Sequence, residues 1–83
     1  MKCYIKDKEL EVEQFFDNMK CLNRISDLVE CEIVVNYHDP RRPTLRIKGR
    51  IVHIGDFIIK DENKISICSA RIFKDKYRLE KEV

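Results

Sequence analysis

The chain is predicted to be a small α+β protein: an N-terminal hairpin and one amphipathic helix, followed by a five-stranded, strongly bent antiparallel sheet or small barrel. Three observations predict this. Eleven isoleucines against a single alanine, Ala70, favour sheet over helix outside one segment. Val12, Phe15, Phe16, Met19 and Leu22 recur at helical spacing and define that segment. Beyond it the apolar period falls to two, and the few glycines and prolines punctuate the pattern.

Taken in order, Lys2 to Ile5 alternates polar and apolar residues, and Lys6-Asp7-Lys8 is expected to turn it back through Glu9 and Leu10 as a hairpin. A helix starting at Asp7 competes with that reading, because Asp is a good N-cap. The helix proper follows, with Glu11 and Glu13 at its start and Lys20 and Arg24 near its end, matching the helix dipole. Its aromatic stripe is expected to face the core. Ile25 to Leu28 then reads as a connection into a long strand. There Val29, Cys31, Ile33, Val35 and Tyr37 share one side, while Glu30, Glu32, Val34 and Asn36 share the other.

Asp39-Pro40-Arg41-Arg42-Pro43 reads as a turn, since proline donates nothing to a ladder and biases the residue before it away from helix. A second long strand is expected from Thr44 to Ile54. Gly49 within it is read as a bend or bulge, because both faces become apolar after it. Gly55-Asp56 turns into a strand from Phe57 to Lys60, Asp61-Glu62-Asn63 turns again, and Lys64 to Cys68 returns. A single 3₁₀ turn at Ser69-Ala70-Arg71 and a last strand from Ile72 to Leu79 complete the prediction, with Glu80 to Val83 fraying.

Size and composition narrow the function classes. Eighty-three residues leave room for one core, so residues 1–83 are expected to form a single domain, with 1–27 as hairpin and helix and 28–79 as sheet or barrel. At 43% hydrophobic and 39% charged residues the chain is too apolar for a disordered tail and too charged for a membrane protein. The alternating N-terminus has no apolar run of the kind a signal peptide needs, so a cytoplasmic location is expected, with no membrane partner. Cys3, Cys21, Cys31 and Cys68 contain no C-x-x-C pair and sit among apolar neighbours. They read as reduced, structural thiols rather than metal ligands, and no cofactor is expected.

From Cys31 to Lys76 the pattern resembles the Sm-like and SH3-like small barrels, including the bacterial Hfq and YolD-like families. The residues carrying the resemblance are Lys48-Gly49-Arg50-Ile51, then Ile54-Gly55-Asp56-Phe57-Ile58-Ile59, then Lys64-Ile65-Ser66-Ile67 followed by Ile72. A helix preceding the barrel also fits. The resemblance implies RNA binding or a protein-adaptor role. The tyrosine-lysine-histidine signature of Hfq-type proteins aligns with Cys68-Ser69-Ala70, so that family's RNA site does not carry over.

The strongest chemical feature is charge. Residues 41–50, RRPTLRIKGR, hold five cations and no acid. Arg46, Lys48 and Arg50 alternate with apolar residues, so on one continuous strand they would project from one face, extended at the turn by Arg41 and Arg42. Such a row suits phosphates or an acidic protein surface, with Tyr37 the nearest aromatic; it equally suits a merely solubilising face. No catalytic residues are assigned. His38 beside Asp39, His53 near Asp56, and Cys68 or Ser69 lack the elbow or glycine-rich loop that would hold a nucleophile.

The sequence thus points to a non-catalytic binding module using Arg41, Arg42, Arg46, Lys48, Arg50 and Tyr37 against nucleic acid (RNA or DNA) or an acidic protein. The alternative is an inhibitor or adaptor that binds a larger host protein; short lysine- and isoleucine-rich proteins of this kind are often carried by phages and other mobile elements. Lysines on the predicted last strand would discourage edge pairing, so a monomer or dimer is expected ahead of a ring.

Overall fold

Ten elements follow one another in a computed structural model that describes residues 2–5 and 8–79. They are β1 (Lys2–Ile5), β2 (Lys8–Gln14), α1 (Met19–Val29), β3 (Ile33–Asn36), β4 (Thr44–Ile47), β5 (Arg50–His53), β6 (Phe57–Asp61), β7 (Lys64–Cys68), α2 (Ala70–Lys76) and β8 (Arg78–Leu79). The class is α+β. The strands form two antiparallel sheets, one of five strands in the order β7-β6-β2-β1-β8 and one of three in the order β3-β4-β5. Among the described residues they do not close into a barrel, so the small-barrel form of the expectation is corrected. The predicted hairpin is present, Cys3 facing Leu10. Lys6 and Asp7 of its turn, and the expected frayed end at residues 80–83, lie outside the described residues.

The helix is displaced from its predicted place. Glu9-Leu10-Glu11-Val12-Glu13 alternates strictly, and β2 is a central strand that pairs with β1 on one side and β6 on the other. That pairing overrides the helical spacing of Val12, Phe15 and Phe16. Helix α1 instead starts after Asn18, whose side-chain oxygen accepts from the Cys21 N–H at 2.8 Å as an N-cap. Cys21, Ile25, Leu28 and Val29 form its buried stripe, so residues 25–28 belong to the helix and are not a connection. Glu30 ends it in the left-handed region at φ 52°, its N–H donating to the Ser26 carbonyl.

The other corrections are local. The continuous strand expected from Thr44 to Ile54 is a hairpin. Lys48 (φ 49°) and Gly49 (φ 79°) both have positive φ, the signature of a two-residue type I′ turn, and Ile47 faces Arg50 across it. Gly49 is thus a chain reversal and not a bulge. The expected last strand is mostly helix α2, capped by the Ser69 hydroxyl, which accepts from the Ile72 N–H at 3.3 Å. Phe73 and Tyr77, four apart, lie on the covered side of this segment. Lys74 and Lys76 therefore ride a helix and do not have the role expected of them on a last strand, guarding its edge against pairing. The first long strand shortens to β3, where the predicted alternation holds: Ile33 and Val35 are half-buried, Val34 and Asn36 exposed.

Two cores lie on opposite faces of the five-stranded sheet. On one face α1 and the three-stranded sheet enclose Phe15, Ile25, Leu45, Ile47, Val52 and Ile58. On the other, α2 closes over Cys3, Leu10, Val12, Phe57, Ile59 and Phe73. Phe57, Ile58 and Ile59 are consecutive and all buried because both faces of β6 are covered. The charged intruder is Glu13, buried under α1, whose Oε2 accepts from Arg24 Nε at 3.3 Å.

Replacing Gly49 with alanine puts a side chain into open space but keeps φ at +79°, so the cost is backbone strain alone. A loss of about 1–2 kcal/mol is expected, read as a lowered urea midpoint with unchanged slope. The second core carries a pH signature. Burial, reinforced by the neighbouring Cys68, pushes the Cys3 thiol from an ordinary value of 9.0 up to about 11. The folded state therefore holds this proton more tightly than the unfolded chain does. Its stabilising contribution is complete below pH 9 and disappears as pH rises towards about 11. Urea midpoints measured across that window should fall, and Cys3→Val should flatten the fall.

Candidate binding surface

The three-stranded sheet has one buried and one open face. Leu45 and Val52 face each other and are fully buried, and Ile47 continues their row inward. The intervening residues point outward. Arg46 of β4 has Val34 of β3 on one side and Ile51 of β5 on the other, while Thr44 has Asn36 and His53. Direct cross-strand neighbours lie about 4.5–5.5 Å apart at Cβ, so Val34, Arg46 and Ile51 form a continuous band. Val34 is 52% and Ile51 54% exposed, with Ile54 at 43% in the groove at one end. Large aliphatic side chains this exposed, side by side on a registered sheet, form a patch rather than scattered surface residues.

The turn at one end of this face is built by Asp39. Its side-chain Oδ1 accepts from the Arg41 N–H at 3.0 Å and its carbonyl from the Arg42 N–H at 2.9 Å. Arg41, Arg42, Pro43, His53 and Ile54 line a groove of about 390 Å³. Asp56 ties the far side, its Oδ2 accepting from the His53 N–H at 3.0 Å with His53 Nδ1 at 3.7 Å. The Tyr37 hydroxyl donates to Asp17 Oδ1 at 2.9 Å, a bond that raises its pKa and holds the ring beside the loop after β2.

The six residues singled out from the sequence are not brought together on one face. Arg41, Arg42 and Arg46 belong to the outer face and its rim, whereas Tyr37 follows β3 and is tied to Asp17 in the loop after β2. Arg50 faces Ile47 and so shares the inward side; its Nη1 reaches the Ile65 carbonyl of β7 at 2.9 Å. Lys48 sits in the turn at the opposite end of the hairpin from Arg41 and Arg42. The type I′ turn is the physical reason: reversing the chain at Lys48-Gly49 places Arg46 and Arg50 on opposite sides of the sheet. Among the described residues none of these five cations forms an ion pair.

Sequence reasoning placed Val34 on the polar side of its strand but did not join it to Ile51 and Ile54 as a surface patch, because on one continuous strand Arg46 and Ile51 fall on opposite faces. The signal was available: T-L-R-I and R-I-V-H flank Lys-Gly as two matched four-residue strands. Elsewhere the cysteines behave as packing groups. Cys21 Sγ donates to the Gln14 carbonyl at 2.9 Å and accepts from the Phe16 N–H at 3.2 Å, fastening the turn between β2 and α1. Burial pushes Cys3 and Cys68 up, the reverse of what an activated thiolate needs. Among the described residues no group of three or more His, Cys, Asp or Glu side chains is placed to hold a metal ion, and no helix is long and apolar enough to cross a membrane. Compared with known proteins, the chain matches no family model, no curated protein and no solved structure.

Proposed function

We propose that the protein is a small, non-catalytic binding module that docks the outer face of β3–β4–β5 onto an acidic protein surface, acting as an adaptor or inhibitor of its partner. The observation that supports this is the registered band Val34–Arg46–Ile51, with Ile54, Arg41 and Arg42 at one end. An aliphatic centre with cations around it is the composition of a protein-binding patch: the aliphatic groups supply desolvation and the arginines supply orientation and speed of encounter. Single-stranded nucleic acid would call instead for aromatic rings free to stack, and the Tyr37 hydroxyl is held by Asp17.

A photo-cross-linker tests it. With p-benzoylphenylalanine in place of Ile51, irradiation in lysate of the source cell should yield one nuclease-resistant protein adduct. The same amino acid in place of Lys74, exposed on α2, should not yield it. A nucleic-acid adduct from position 51, or the same adduct from both positions, would overturn the assignment.

A further inference from the structure

The opposite end of the β4–β5 hairpin carries a second feature that the outer-face reading does not use. There the Lys48-Gly49 turn lies beside the turn that joins β6 to β7. Between them is a cleft of about 290 Å³ lined by Ile47, Lys48, Arg50, Asn63, Lys64 and Ile65. Its charged lining is three cations with no carboxylate, and among the described residues none of the three is ion-paired. Glu62, in the same turn as Asn63, lines a different groove with Lys8, Lys60 and Asp61.

Three like charges around one cleft repel one another, a cost that a bound anion would remove. One of the donors is also held in place. The hydrogen bond from Arg50 Nη1 to the Ile65 carbonyl anchors one side of the guanidinium and leaves its other N–H groups to serve a ligand. The two lysines reach the cleft from the two turns, Lys48 at the first central position of the type I′ turn and Lys64 at the start of β7 opposite Asp61. Asn63 adds an amide donor to the lining. Arginine offering a fork of donors, flanked by two lysine point charges, matches adjacent phosphate groups better than a single carboxylate.

We propose that this cleft is a phosphate site that takes two neighbouring phosphate groups, either the diphosphate of a free small molecule or successive phosphodiesters of a nucleic-acid backbone. It stands independently of the outer face, and either can fail alone.

The test is amide NMR at constant ionic strength, titrating the intact protein with inorganic pyrophosphate and, separately, with a single-stranded oligonucleotide. Pyrophosphate should shift the resonances of residues 48–50 and 63–65 and leave those of Arg41 and Arg42 in place. Shifts at those amides with the oligonucleotide, reversed by pyrophosphate, would assign the phosphate to nucleic acid; pyrophosphate alone acting there would assign it to a small molecule.

Lys48→Asn supplies the residue that a type I′ turn prefers while removing one cation, so it should fold at least as stably and bind pyrophosphate about tenfold more weakly. Arg42→Gln removes the same charge elsewhere and should bind as the wild type does. Equal weakening by both variants, or shifts spread evenly over all basic residues, would reduce the effect to non-specific attraction and overturn the site. Absence of any shift at millimolar pyrophosphate would do the same.

Discussion

Phe15→Ala is expected to destabilise the fold by about 3–5 kcal/mol, the usual cost of removing a buried phenylalanine. Phe15 is fully buried in the core beneath α1. Its backbone is also where the two sheets are joined: its N–H donates to the Asp56 carbonyl at 2.9 Å, and its own carbonyl accepts from the Gly55 N–H at 2.9 Å. These backbone bonds hold the exit of β2 against the turn between β5 and β6, and the ring packs the core beneath them. A chain of this length has roughly 4–12 kcal/mol of stability in total. Losing 3–5 of it should lower the melting temperature by roughly 4–8 °C per kcal/mol. Phe15→Leu, which keeps most of the apolar volume, should lose far less. An alanine variant that melted within a few degrees of the wild type would show that this junction is not structural.

Phe73→Ala should cost a similar amount, about 3–5 kcal/mol, by a different route. Phe73 is 2% exposed and stacks on Phe57 with centroids 3.8 Å apart and on Tyr77 at 5.0 Å. It is the main anchor of α2, a helix of seven residues that is too short to persist without tertiary packing. Truncation should therefore free α2 and expose Cys3 and Cys68, which lie in or against this core. Thiol-labelling rates separate this from global unfolding. In the variant Cys3 and Cys68 should label faster than Cys21, which sits in the other core; equal acceleration of all three would mean that the two cores do not open separately.

Much of the strand content was legible because period-two alternation survives wherever one face is buried. Lys64 to Cys68 and the turn at Asp39–Pro43 fall where the pattern puts them, and the turn expected at Asp61–Asn63 narrows to Glu62-Asn63 because Asp61 still pairs with Lys64. The errors share a cause: a local pattern that fits two structures was settled by long-range pairing. Val12 and Phe15 fit a helix until β6 is known to pair with β2. Ile72 to Leu79 alternates well enough for a strand until Phe73 is seen stacked on Phe57. The candidate surface was half legible. Arg41, Arg42 and Arg46 stand out as a run of charge, but which of the five cations share a face depends on one turn. Reading Lys48-Gly49 as a bend and not as a reversal changes the side on which Arg50 lies.

That reversal makes the central claim open to a direct measurement: the working surface is the outer face of β3–β4–β5, not a row of cations along one strand. Arg46→Glu and Arg50→Glu make the same change in net charge on opposite sides of the sheet, and Ile51→Asp removes the aliphatic neighbour of Arg46. Affinity for the protein cross-linked from position 51 should be measured for all three variants at physiological salt. The account predicts that Arg46→Glu and Ile51→Asp each weaken binding about tenfold or more, while Arg50→Glu changes it little. Equal weakening by Arg46→Glu and Arg50→Glu, with Ile51→Asp unaffected, would contradict it.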